Sequence, residues 1–539
     1  MSSSEPPVPA SAPGEKLNTR GAILIAIAVL CSRVLGLVRL IVFGALFGGG
    51  RLMDAYITAF RIPNLLRDLV GEGALSTAFV TTFSKTLLRE GEQSAWQLAN
   101  KVLTLAVIVI SALVLLGIAL APWLVAMLGW GFSPAKAALT VELARIMYPF
   151  ILIVSLAALV MGMLNARNVF GLPALASSFF NLGTIIAGAG LGWWLDPHFG
   201  PKATVGLAIG TLIGGLLQLG VQIPRLRRFG YRFRPDFRWR DSRVKAILLI
   251  MGPSLIAASS VQVNVVVNSG FASLLGNGPI TWLQYAFRLM QFPLGMFGVA
   301  FGTVALPMLS RMAAAGNHEG FRTELARGLR LVLLLTVPAA IGLIMLAGPI
   351  VSVLYQHGRF SAHDALETAG ALRMYAIGLC GYAALKVLVN AFYAIDRRKT
   401  PMMVSLCAMG LNVLLCWLTT LRLHWGPQGL AFSTACVATA NFVVLYALMR
   451  RHLGRFESRA MLTLLARLSV ACAVLALICW GGSSALLANW PGEAFWPKLG
   501  ALLLVIVTSI GAFFGCAMLL GIEEMHDIAQ VVKRKLRVA

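Results

Sequence analysis

Arg33, Arg39, Arg61, Arg67 and Arg288 stand in otherwise apolar stretches, with Asp54, Asp68 and Glu72 among them. A charge at membrane depth is costly, so it turns toward a bundle interior or a watery cavity and marks a transport path. The planar fork of Arg binds phosphate bidentately, stays charged at any relevant pH and sheds water more readily than Lys. Arg33, Arg39, Arg67 and Arg288 are therefore read as a substrate-binding set for a diphosphate or similar anion. Asp54, Arg61 and Glu72 are read as cavity or gating groups, the carboxylates balancing the empty site and exchanging partners during a cycle.

Spacing constrains these groups. Arg33 and Arg39 project roughly 120° apart on a helix, so they flank a broad surface rather than a narrow stripe. Asp54, Arg61 and Asp68 recur every seven residues, near one helical face. Pro63 intervenes, which predicts a bend near Ile62. The plainer alternatives are arginines snorkelling to an interface and Asp54 capping its own helix after a glycine turn.

The elements that must position them are membrane helices. The chain of 539 residues is 58% hydrophobic and 12% charged, too apolar for a soluble protein of this size. Fourteen spans are expected, near 21–47, 53–84, 96–128, 138–164, 170–195 and 203–224, then 244–275, 279–311, 326–356, 366–395, 401–421 and 427–449, with 461–487 and 497–521 last. Basic residues gather in alternate loops, among them Lys85 and Arg89, the run Arg225 to Lys245, and Arg397 to Lys399. That asymmetry explains the net charge of +24 by topology, with both termini cytoplasmic, and argues against nucleic acid. The polar run at 225–243 reads as a cytoplasmic linker facing anionic headgroups.

The halves repeat. Ala59-Phe60-Arg61 matches Ala286-Phe287-Arg288, Lys85 matches Arg311, and the turn at 46–50 matches that at 274–278, with offsets of 227, 226 and 228. Six spans per half is an even number, so the repeats share one orientation, as in transporters that hold substrate between two halves. The eight cysteines lie in apolar runs without a C-x-x-C pair, and the seven histidines are scattered, so neither metal nor cofactor is expected. No G-x-S-x-G, H-E-x-x-H or Walker A run occurs, so the reading is a secondary-type transporter and not an enzyme.

The motifs resemble those of the lipid II flippases of the MurJ/MviN family. The resemblance rests on S-R-V-L-G-x-x-R at Ser32 to Arg39, the run from Asp54 to Arg67, and E-G-A-x-S-x-A-F at Glu72 to Phe79. It continues through R-L-M-x-F-P-x-G at Arg288 to Gly295, G-x-x-x-L-P-x-L-S at Gly302 to Ser310, and K-T-P at Lys399 to Pro401. It implies an all-α polytopic fold of the multidrug/oligosaccharidyl-lipid/polysaccharide exporter superfamily: two six-helix lobes around a central cavity, plus two C-terminal helices. The implied division is a disordered cytoplasmic tail at 1–20, lobes at 21–224 and 244–449, lipid-groove helices within 461–521, and a basic tail at 522–539.

The implied activity moves undecaprenyl-diphosphate-linked disaccharide-pentapeptide from the inner to the outer leaflet of the bacterial inner membrane. Cell-wall synthesis or division proteins are possible partners under this resemblance. The sensitive cavity positions carry over as Ser32, Arg33, Arg39, Asp54, Arg67, Glu72 and Arg288. Leu40, Asp68, Phe287 and Gln291 depart from the family pattern, which puts a shared salt-bridge gating scheme in doubt. A flippase for another polyprenyl-linked glycan and a non-transporting cell-wall scaffold are the competing readings.

Overall fold

The computed structural model describes residues 19–67, 75–454, 458–487, 495–522 and 524–525. Asp68 and Glu72, with what was expected of them and of both chain ends, lie outside these residues. Among the described residues there are eighteen α-helices and no strand. A backbone in hydrocarbon must satisfy its own hydrogen bonds, and helices do so within one segment.

The first half comprises α1 (Thr19–Phe47), α2 (Arg51–Leu66), α3 (Ser76–Leu128), α4 (Pro134–Met147), α5 (Phe150–Ala166), α6 (Gly171–Leu195) and α7 (Pro201–Gly220). Pro63 sits inside α2, which runs on to Leu66. The long α3 is two helices joined at Gly91, whose φ of +83° is open to glycine at no steric cost. Its two parts cover the end of the expected second span and the whole of the third. Helices α6 and α7 touch backbone to backbone: a Cβ on Gly210 would lie 2.4 Å from the Gly188 Cα.

Short α8 (Ile223–Arg228) leads through an irregular segment into the second half. That half holds α9 (Ser242–Ser273), α10 (Pro279–Ala314), α11 (His318–Met345), α12 (Ala347–Tyr355), α13 (Ala362–Ile377), α14 (Leu379–Ala394), α15 (Lys399–Trp417) and α16 (Gly426–Leu453). Helices α17 (Ser458–Leu486) and α18 (Phe495–Leu519) follow. Among the described residues, ten stretches can cross a membrane by length and apolarity, or eleven when α13 and α14, bent by 43°, count as one. The expected spans 53–84, 244–275 and 279–311 lie along α2 with the start of α3, α9 and α10.

Three apolar cores organise the helices. One runs from Phe43 through Phe79, Leu143, Tyr148 and Leu207 to Ile247, and a second from Phe271 through Tyr285, Leu329, Leu372 and Phe392 to Met449. A third joins α17 and α18 to the flank of α11 and α12 through Leu334, Leu346, Leu468, Cys472 and Phe513. Val244 and Ile247 of α9 belong to the first core, whereas Phe271 and Ala272 at its other end belong to the second.

The linker is pinned rather than loose. The Tyr231 hydroxyl and the Arg234 amide donate to Asn100 Oδ1 at 2.8 and 3.2 Å, and the Asp236 amide donates to Thr104 Oγ1 at 3.0 Å. Asp241 caps α9 through the Arg243 amide and accepts from Lys101 Nζ at 2.7 Å. Arg243 grips the same carboxylate with its side chain, which holds the Asp241 carboxyl well below the usual carboxylate range.

Candidate anion cavity and outer latch

Helix α1 carries Arg33 and Arg39, α10 carries Arg288, and Arg67 directly follows α2. The four converge. Arg288 lies within electrostatic range of Arg33 and Arg67, and Arg39 within range of Arg288 and Arg67. Two of the arginines rest on glycines of the facing helix. A Cβ on Gly295 would fall 1.8 Å from Arg33 Nη1, and one on Gly36 would fall 3.5 Å from Arg288 Nη2. The Arg39 guanidinium sits 5.2 Å from the centre of the Phe180 ring. Among the described residues no carboxylate lies within ion-pairing distance of Arg33, Arg39 or Arg288. Crowded cations such as Arg33, Arg39 and Arg288, with no described carboxylate in reach, hold an anion better than they hold each other.

Other predicted residues fall elsewhere. Arg61 is committed to the facing lobe: it donates to Ser269 Oγ on α9 and, at 3.1 Å, to Gln284 Oε1 on α10. It ties the lobes together and is not one of the gathered cations. Ser32 enters through its backbone carbonyl, which accepts from Asn181 Nδ2 at 3.2 Å. Lys386 on α14, which sequence reasoning passed over, is exposed and within electrostatic range of Arg33. Its signal was present all along: a lone Lys inside the apolar run GYAALKVLVN.

Asp54 sits at the end of the bundle opposite the basic loops, and there it caps a helix other than its own. Gly50 is the N-cap of α2 and offers no side chain. The Asp54 carboxylate instead accepts from the Gly278 amide at 2.7 Å, the Thr281 amide at 2.9 Å and Thr281 Oγ1 at 2.6 Å, closing the N-terminus of α10. Free amides and the helix dipole both favour an anion there. Lys136 Nζ on α4 completes the shell at 2.8 Å and also donates to Gly276 O and Asn277 Oδ1, each at 3.2 Å. In the sequence Lys136 falls in the gap between the expected spans 96–128 and 138–164. Its Nζ is buried beside the Phe132 ring, 4.4 Å from the centre.

A second set of bonds closes the same end. Asp364, in a capping box with Ser361, accepts from Trp282 Nε1 at 2.8 Å and from the Gly49 amide at 3.4 Å. The Arg359 amide donates to Ala45 O at 2.8 Å, and its guanidinium to the carbonyls of Phe199 and His198 at 2.9 and 2.6 Å. Tyr285 donates to Leu40 O at 2.9 Å. The two halves are thus bonded to each other at this end, opposite the basic loops.

Comparison with known proteins gives a family and a fold. The family model described as lipid II flippase MurJ matches residues 43–499. A Bdellovibrio bacteriovorus protein named probable lipid II flippase MurJ is 34% identical over 514 residues, 94% of this chain and 96% of its own. The lipid II flippase MurJ of Burkholderia cenocepacia is 32% identical over 517 residues, 94% of this chain and 98% of its own. A solved lipid II flippase MurJ in an inward closed conformation superposes with a TM-score of 0.72 at 26% identity, over 92% of this chain and all of that one. An inward-facing multidrug transporter of the MATE family shares the fold, with a TM-score of 0.66 at 14% identity over 81% of this chain and 99% of its own.

Proposed function

Because the chain belongs to the MurJ family of lipid II flippases, we propose that it carries lipid II across the bacterial inner membrane for peptidoglycan synthesis. The observation that carries this reading is the gathering of Arg33, Arg39, Arg67 and Arg288, three of them facing no described carboxylate. A diphosphate supplies the missing negative charge, and each guanidinium can meet it with two parallel hydrogen bonds.

The protein acts as a transporter and not as an enzyme, of the secondary type, with its energy taken from an ion gradient or the membrane potential. In the state described, the outer ends are bonded together, so the sugar-peptide head enters from the side of the basic loops. The polyprenyl tail stays in lipid, along the surface of α17 and α18. Separation of the outer bonds and rocking of the lobes then present the head to the other leaflet. Arg61 and Asp54 serve in this reading as gating contacts between the lobes, and Ser32 as a backbone prop for α1 beside Arg33. The polypeptide crosses fourteen times with both termini in the cytoplasm.

The test depletes the protein in its host and measures labelled lipid II on each leaflet, with rescue by wild type, Arg33→Ala or Arg288→Ala. Lipid II retained on the inner leaflet and released only by wild type supports the proposal. An unchanged distribution on depletion rejects lipid II as the substrate. Full rescue by both variants, each inserted at normal levels, rejects the cationic cavity.

A further inference from the structure

Among the described residues Asp54 and Lys136 form the most deeply buried ion pair, at 0% and 2% exposure, and both belong to the first lobe. Among the described residues, every other side-chain hydrogen bond of the pair goes to one short segment of the second lobe. Asp54 takes the Gly278 and Thr281 amides and the Thr281 hydroxyl, while Lys136 takes Gly276 O and Asn277 Oδ1. The positive φ of Gly278, +112°, turns the chain so that these donors and acceptors face the pair together.

This division of partners has a physical consequence. When the outer ends part, the pair loses its contacts to 276–281 but keeps its internal one, so a neutral unit is exposed. Without Lys136 the carboxylate would be an unpaired buried anion in the closed state, and water would draw it toward the open one. We infer that Lys136 is a positioning residue of the transport cycle, holding Asp54 ionised and aimed at the α10 N-terminus so that the outer ends close reversibly. The inference rests on the transport reading above, and its test needs no substrate.

Hydrogen–deuterium exchange on the full chain in lipid nanodiscs reads the latch directly. In Lys136→Met, amides of segment 276–283 should exchange at least tenfold faster than in the parent. Amides of 97–104 and 231–241, at the opposite end, should keep the parent's rates. The double variant Asp54→Asn with Lys136→Met should exchange at least threefold more slowly than Lys136→Met alone, since the one amide oxygen still accepts from Thr281 and no buried charge is left uncompensated. Parent-like exchange in Lys136→Met overturns the inference. So does equal acceleration at both ends, which marks general loosening, or failure of the double variant to restore protection. Absence of lipid II transport by the parent would reject the proposed substrate and leave the exchange result standing.

Discussion

The arginines divide by what they touch. Arg39 lies among like charges beside Phe180, whereas Arg61 is spent on Ser269 and Gln284 across the lobe interface. Titration of the purified protein with inorganic diphosphate should separate these roles. Arg39→Ala should weaken binding roughly tenfold or more, since a hydrogen bond to a charged group contributes about 1.5–3 kcal/mol. Arg61→Ala should leave that affinity within about twofold and act on closure instead. Equal losses in both would reject the separation. The cations of the cavity were legible in the sequence because an Arg inside an apolar run has few bland explanations. Lys136 was not, because it stands at a helix start beside Pro134, and its partner is 82 residues away. Asp54 was legible as a charge of note, with a cap on its own helix the plainer alternative; the cap falls on α10 instead, and a cap contributed across lobes leaves no local pattern.

At the scale of elements, two glycines set how closely α1 and α10 share the cavity. Arg33 fills the space over Gly295, while Arg288 only reaches ordinary contact with Gly36. Gly295→Leu should therefore displace the Arg33 guanidinium and lower lipid II transport at least tenfold while the arginine itself remains. Gly36→Ala should cost less than threefold, and the same leaflet assay compares them. The linker makes a different prediction. Asp241 is held ionised chiefly by the Arg243 side chain, with Lys101 adding to it. A depressed folded-state pKa adds stability above the unfolded value that is lost as pH falls through the folded one. Melting of wild type against Asp241→Asn at pH 7 and pH 3 should thus show a gap that narrows at the lower pH. The gap should stay near or below about 1 kcal/mol because the group is partly exposed. A gap that widens on acidification would contradict this. The polar run between the halves was plain in the sequence, yet its anchoring on Asn100 and Thr104 was not. Nor do Val244 and Ile247 announce that they pack in the first lobe, because an apolar face carries no label for its partner.

For the molecule as a whole, the sequence disclosed the membrane class and the duplication, since both are written in period and composition. It was silent on the state of the lobes, which depends on contacts spanning hundreds of residues, such as Gly49 with Asp364. Those contacts make the outer end a place to arrest the cycle. The Gly131 amide donates to Ser273 Oγ at 3.0 Å, joining the α3–α4 turn of one lobe to α9 at its second-lobe end. A Cβ on Gly131 would lie 2.5 Å from the Ser273 carbonyl oxygen, so the turn must shift to admit a side chain beside residue 273. Cysteines replacing both residues should cross-link under mild oxidant, stop lipid II transport and leave diphosphate binding from the open side within about twofold. Reductant should restore transport. The parent chain, with its eight native cysteines, is the control, because none of them sits at this contact. Continued transport by the cross-linked protein would mean that the outer ends need not separate, and alternating access between the lobes would be rejected. Arrest with binding retained would place the arginine cavity and the outer latch on one cycle, the first receiving the anion and the second deciding when it leaves.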